Sequence, residues 1–198
     1  MYLPKSIKEA QLLLSKDEFL KIKPFSATEK PQQRVWMAMH QDHSCEFVWN
    51  RQLTAPREAK AGRAIVKHLL GASPHMGPFE HPSIILNVGF FPHSVMQQLR
   101  THRPGCSFDV QSFRVTEQKI IDVGKGIRSV EETFYVRPVG TYIAPEGGTY
   151  QYTEQQRCDD LALCQMLSRH YRQRRIEGVS KEHARSVIPF DVRQHFVL

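Results

Sequence analysis

The chain has 198 residues, with 27 Lys plus Arg against 20 Asp plus Glu, and a formal charge of +7. That length suits one compact domain with its own core, and 40% hydrophobic with 24% charged residues excludes wholesale disorder. The longest apolar run, residues 84–91 interrupted by Asn87, is far short of the roughly 20 residues a membrane-spanning helix needs.

Residues 1–30 mix Leu12, Leu13, Leu14, Phe19 and Leu20 with charges. They read as a peripheral extension with helical signals, drawn to residue 35, ahead of one domain over 36–198. The N-terminus has no cleavable apolar segment, and Cys45, Cys106, Cys158 and Cys164 form no CxxC pair, so a reduced, cytoplasmic protein is expected. Thr54, Ala55 and Pro56 open a helix that carries Ala61, Ala64, Ile65, His68 and Leu69 on one face and stops at Gly71. Residues 83–91 are rich in β-formers and read as a buried strand ended by Pro92, and 93–101 have helical composition.

Further on, 119–123 and 133–136 read as strands and 145–148 as a turn. Thr153 and Gln156 spell the capping box of a long helix reaching Glu177, closed by Gly178. Ser180 caps a last helix over 181–187, which Pro189 ends. Strands and helices mix without βαβ rhythm, so the fold class is α+β: a mixed or antiparallel sheet flanked by helices.

Three segments carry residue types suited to chemistry. His75, Glu80 and His81 lie within seven residues, but the spacing is not that of a zinc-binding HExxH helix and Pro78 interrupts one. A loop with His75 or Glu80 facing a polar pocket is expected, with no metal. Arg100, His102, Arg103 and Arg114 surround a Pro104–Gly105 turn, with Ser112, Asp109 and Gln111 between them. A guanidinium donates two parallel charge-assisted hydrogen bonds, which suits phosphates and pyrimidine carbonyls, and Gln111 suits an amide-like edge. A surface loop with unrelated ion pairs is the plain alternative. Glu182 and Arg185 share a helix face three residues apart, as a surface ion pair also would.

In this order the three segments resemble the flavin-dependent thymidylate synthases. That family's pattern is H-x-x-P-F-E-H, then R-H-R followed by S-x-R, then E-x-A-R-x-x-L-P. The matching stretches are 75–81, 101–114 and 182–189, within a resemblance over about 35–198. It implies an α+β homotetramer with active sites where subunits meet, methylating dUMP with bound FAD, NADPH as reductant and methylenetetrahydrofolate as carbon donor. By position, Arg114 and Arg185 match the arginines that hold dUMP, Ser112 the serine beside it, and Gln98 a glutamine touching it; Gln111 joins this set. Arg185 and Ser112 are the catalytic pair implied, Arg185 stabilising charge on the pyrimidine and Ser112 positioning it. His102, Arg103, Arg100, Asp109, Glu80 and Ser44 fall on the flavin side, and His75 near the flavin and folate pocket.

The pattern departs from the family at Thr101, which stands in place of the first arginine of R-H-R, and at Val115, in place of a common tyrosine. The interval from Arg103 to Ser112 is also one residue longer. The family continues beyond the position of Leu198 into a helix with a further dUMP arginine and flavin contacts, so a C-terminal truncation is expected. The competing reading is a nucleotide-binding homologue without a complete flavin site. A nucleic-acid module using the basic stretch 169–175 is a third, set against the expectation of no nucleic-acid partner and no membrane.

Overall fold

The computed structural model of the chain describes residues 17–42, 44–49, 55–71 and 74–198. A four-stranded sheet has the order β1 (Lys21–Ala27), β2 (Ile84–Pro92), β6 (Arg193–Val197), β3 (Asp109–Val110). A separate hairpin joins β4 (Gly140–Ile143) to β5 (Thr149–Tyr152). The helices are α1 (Pro31–Asp42), α2 (Glu58–Leu69), α3 (His93–Leu99), α4 (Gln118–Lys125), α5 (Val130–Thr133), α6 (Glu154–Ile176) and α7 (Lys181–Ala184). β2 and β3 both pair antiparallel with β6, so the α+β class holds.

The chain divides into two compact units. One contains Pro24–Leu86; the other contains the described residues up to Lys23 together with Asn87–Leu198. In the first, α1 and α2 bury Val35, Met39, Ile65 and Leu69 against one another, with Trp36 and Phe79 beside them. The recurrence of apolar residues every three to four positions is what makes both segments amphipathic helices. Ala61, Ile65 and Leu69 are buried as their spacing predicts. Glu58 reaches across to the start of α1, where its carboxylate accepts from the backbone N–H groups of Gln32 (2.6 Å) and Gln33 (3.0 Å). A carboxylate at a helix N-terminus satisfies orphan donors and complements the dipole. The expected helix start at Thr54 and the leucines 12–14 lie outside the described residues.

The core of the other unit gathers Ile120, Val123, Phe134, Cys164, Tyr171, Ala184 and Val192. α6 supplies Cys164, Ser168 and Tyr171 from its buried face, and its start is the capping box that Thr153 and Gln156 spell out. α7 is capped by the Ser180 hydroxyl, which accepts from the His183 N–H at 3.3 Å.

Three sequence expectations fail here. Residues 119–123 are helix α4, not a strand. Ile120 and Val123, three apart, are wholly buried against α6, and that packing outweighs the β preference of an Ile-Ile-x-Val run. Gly124 permits the approach, since a Cβ there would lie 2.6 Å from the Ser168 carbonyl oxygen. Residues 133–136 are not a strand either: Thr133 ends α5, and Phe134 makes only an isolated bridge to Val192. The helical signals over 1–30 give way at Lys21–Ala27 to strand β1.

Strand β6 holds the second unit's polar interior. Arg193 is 4% exposed, and its guanidinium donates to the Glu131 carbonyl (2.7 Å), the Phe90 carbonyl (2.9 Å) and the Asp17 carboxylate (2.7 Å). The rings of Phe19 and Tyr135 lie 5.1 and 5.3 Å from it. β2 bulges between Val88 and Phe91, where Phe90 takes φ +63° and aims its carbonyl at Arg193. A bulge that re-aims a carbonyl toward a buried cation offsets its own backbone strain.

Candidate active site

Helix α3 carries the exposed Gln98 and ends at Arg100. Thr101 closes the helix end by returning its hydroxyl to the Gln98 carbonyl at 2.7 Å, which gives threonine a local use where the pattern has arginine. His102 N–H donates to the Leu99 carbonyl (3.0 Å) and Cys106 N–H to the Arg103 carbonyl (3.2 Å). Gly105, at φ +73°, supplies the left-handed residue that this turn requires. The side chains of Arg100, His102 and Arg103 are exposed and make no hydrogen bond or ion pair among the described residues.

The second half of this segment is tied to β6. Asp109, exposed in β3, sits opposite Val197. Gln111 donates its N–H to the His195 carbonyl (3.0 Å), and its carbonyl accepts from the Gln194 amide (3.0 Å). Its side-chain oxygen accepts from Lys119 Nζ at 3.0 Å, which leaves its amide N–H groups for another partner. Gln194 in turn accepts from His93 Nδ1 at 2.5 Å, and His93 Nε2 accepts from Gln97 at 2.9 Å, which assigns the proton of His93 to Nδ1. Ser112 heads the next turn, its carbonyl accepting from Val115 N–H, Thr116 N–H and the Thr116 hydroxyl. Its own hydroxyl has no hydrogen bond among the described residues, so no base activates it there.

The turn delivers Arg114 to α7. Arg114 Nη1 lies 3.4 Å from Glu182 Oε1, both side chains more than half exposed at 57% and 54%. Glu182 is held below the usual carboxylate range by its own backbone N–H in the first turn of α7 and by Arg114. Arg185, three residues on, opens the 3₁₀ turn Arg185–Val187; it is exposed, and its side chain makes no hydrogen bond or ion pair among the described residues. Arg114 of the second sequence segment therefore reaches Glu182 of the third, three residues before Arg185.

Sequence reasoning missed what stands behind them. Glu117 accepts from the Tyr171 hydroxyl (2.7 Å), Arg175 Nε (2.9 Å) and Lys181 Nζ (2.9 Å). Burial alone would raise its carboxyl, but those three donors together bring it below the usual range. Lys181 also donates to the Arg114 carbonyl at 3.0 Å, and Arg175 to the Val179 carbonyl. The readable sign was Tyr171 and Arg175, four apart on α6, which mark that face for a polar partner.

Ser44, His75 and Glu80 belong to the Pro24–Leu86 unit. Ser44 accepts from the Glu46 N–H at 3.1 Å. His75 Nδ1 lies 3.6 Å from the Asp42 carboxylate and lines a cavity of about 710 Å³ with Trp36, Met39, His40, His68 and Leu69. Glu80 ends the 3₁₀ turn Gly77–Glu80, exposed, and lines neither this cavity nor a second one of about 860 Å³ that includes Arg34, Gln41 and His81. Among the described residues no group of three or more His, Cys, Asp or Glu side chains is placed to hold a metal ion, and no helix is long and apolar enough to cross a membrane.

Comparison with known proteins gives the family and the fold. The Thy1 family profile, described as thymidylate synthase complementing protein, matches residues 25–198. A flavin-dependent thymidylate synthase of Halobacterium salinarum is 31% identical over 102 residues, which cover 48% of this chain and 40% of that protein. The structure of a UMP/dUMP methylase, PolB, from Streptomyces cacaoi, bound with 5-Br dUMP, superposes with a TM-score of 0.67. Its identity is 18%, over 90% of this chain and 71% of the other. A flavin-dependent thymidylate synthase from Helicobacter pylori, complexed with FAD and dUMP, gives 0.62 at 14% identity over 89% and 76%. At these identities the two structures speak for the shared fold.

Proposed function

This chain belongs to the Thy1 family of thymidylate synthase complementing proteins, and from that premise we propose that it is a flavin-dependent thymidylate synthase. The reaction is the reductive methylation of dUMP to dTMP, with methylenetetrahydrofolate as carbon donor, FAD as cofactor and NADPH as reductant. One observation carries the reading: Arg114, far from α7 in the chain, is tied to it by Glu182 at its guanidinium and Lys181 at its carbonyl, one helical turn before Arg185. Two guanidinium groups on one exposed surface suit the phosphate and the uracil carbonyl of a nucleotide.

In this reading Arg114 binds the nucleotide, and Arg185 stabilises the charge that develops on the pyrimidine as its ring is attacked. Ser112 and Gln98 position the nucleotide, and Gln111, with its side-chain oxygen committed to Lys119, offers its amide N–H groups to a carbonyl edge. The loop of Arg100, His102 and Arg103 fits FAD by its chemistry: three exposed basic side chains without partners among the described residues suit a pyrophosphate. By their positions in the family pattern, Asp109, Glu80 and Ser44 are assigned to flavin binding and His75 to the flavin and folate. Bound FAD, once reduced, supplies the hydride; the chain's own residues bind, orient and polarise. We further propose a cytoplasmic homotetramer whose subunits complete each active site, with small anions as its partners and neither nucleic acid nor membrane among them.

Purified and reconstituted with FAD, the protein is expected to show a flavin spectrum that NADPH bleaches under anaerobic conditions, and to form dTMP from dUMP and methylenetetrahydrofolate. A protein that takes up no FAD on reconstitution overturns the reading.

A further inference from the structure

Both proposed nucleotide arginines are exposed, and neither is fixed by its own side-chain contacts alone. The Arg114 side chain has one long ion pair, and the Arg185 side chain has no hydrogen bond among the described residues. What fixes their backbones lies one layer deeper. Glu117, whose side chain is 13% exposed, stands three residues beyond Arg114 and receives three donors from two other elements. Tyr171 and Arg175 come from α6, the long helix that carries much of the core, and Lys181 is the first residue of α7. Lys181 is shared: the same ammonium holds the Glu117 carboxylate and the Arg114 carbonyl. Arg175 is shared too, between Glu117 and the Val179 carbonyl in the connection from α6 to α7.

We propose that Glu117 and Lys181 are positioning residues for the nucleotide site, fixing Arg114 and the α7 segment of Arg185 in one geometry against α6. The proposal rests on the reading of Arg114 and Arg185 as the nucleotide's anchors. Without the Glu117 carboxylate, Lys181 and Arg175 would repel each other and the two arginines they stand beside. With it, the local excess of positive charge is left on the exposed arginines, where an anion can meet it. Recognition of a phosphate and a uracil edge together depends on that spacing, because small misplacements of binding groups are costly.

The test measures dUMP affinity, FAD uptake and thermal stability on the full chain. Lys181→Met breaks both Lys181 bonds but leaves Glu117 bonded to Tyr171 and Arg175. It is expected to weaken dUMP about tenfold, on the scale of a lost charged hydrogen bond, while FAD uptake changes less than twofold. Lys181→Arg keeps charge and donors and is expected to restore most of the affinity. Tyr171→Phe removes one of the two bonds from Glu117 to α6, leaves those of Arg175 and Lys181, and is the structural control, expected to lower the melting temperature with little change in dUMP affinity. Unchanged dUMP affinity in Lys181→Met, with Arg185→Ala losing it, overturns the positioning role alone. Unchanged affinity in both overturns the nucleotide-site reading and this inference with it. A parallel loss of dUMP and FAD binding in Lys181→Met also overturns the inference, since it marks a general structural role.

Discussion

Residues 100–106 and 111–114 belong to one sequence motif and are held in opposite ways. In the first stretch the backbone closes its own turns, Thr101 caps the end of α3, and the side chains of Arg100, His102 and Arg103 have no partners among the described residues. In the second, Gln111 is held at three atoms by His195, Gln194 and Lys119, and Arg114 is held through Lys181 to Glu117. The difference suits the two ligands proposed for them. A nucleotide whose base must be placed for reaction at one ring atom needs a preorganised site. A long, flexible dinucleotide can order a basic loop as it binds, at some cost in affinity.

The foundation of the ordered half can be broken from far away in the sequence. Gln111 hangs on β6, and β6 depends on Arg193, whose side chain is 5% exposed beside an Asp17 side chain that is itself 11% exposed. Removing one partner of a buried pair strands the other charge, at about 3–5 kcal/mol. Asp17→Ala is therefore expected to cost that much in a denaturant titration, the largest effect here. A loss below about 1 kcal/mol would mean that the carbonyls of Glu131 and Phe90 satisfy Arg193 without it.

Arg185→Ala tests the ordered half as a binding surface. Because the Arg185 side chain is exposed and makes no hydrogen bond or ion pair among the described residues, stability is expected to stay within about 0.5 kcal/mol. Affinity for dUMP is expected to fall on the order of 100-fold, about 2.7 kcal/mol, with FAD uptake retained. Arg103→Ala should show the converse in the open half, with FAD bound about tenfold more weakly on the scale of one charged hydrogen bond. The comparison between the halves fails if Arg103→Ala weakens dUMP as much as FAD.

What could be read beforehand follows from where the determining groups lie. The capping box of α6, the Ser180 cap of α7 and the strand leading into α3 depend on neighbours a few residues away, and the sequence spells them out. Strand β6 is different. Arg193, Gln194 and His195 do not look like a buried strand, and two of them are buried only because distant carbonyls, a carboxylate and His93 satisfy them. The misreading of 119–123 has the same origin, since its helix is set by packing on α6. In the site, the arginines were legible by residue type and motif. Glu117 was not, because its partners Tyr171 and Arg175 lie 54 and 58 residues away.

The smallest effect expected is a pH dependence from Lys119, which joins Gln111 to β6. Its ammonium is brought down to about 8 by burial and, secondarily, by Arg128. The unfolded chain keeps this proton up to the ordinary lysine value near 10.4, so between those limits the unfolded state binds more protons than the folded one. Stability should then rise with pH from about 8, as the cost of a buried charge is relieved. Cys164 acts the other way: burial pushes its thiol up to about 11, so the folded state holds a proton that the unfolded state releases from about pH 8.5. The tyrosines raised by burial, Tyr135, Tyr142, Tyr152 and Tyr171, oppose the rise further above about pH 10. The measurement is therefore the difference between wild type and Lys119→Met in urea midpoint at pH 7.5 and 8.8, since the opposing groups are common to both. A smaller rise, or a steeper fall, in Lys119→Met is expected. Identical pH responses would mean that Lys119 keeps its proton through this range, leaving the Gln111 contact insensitive to pH.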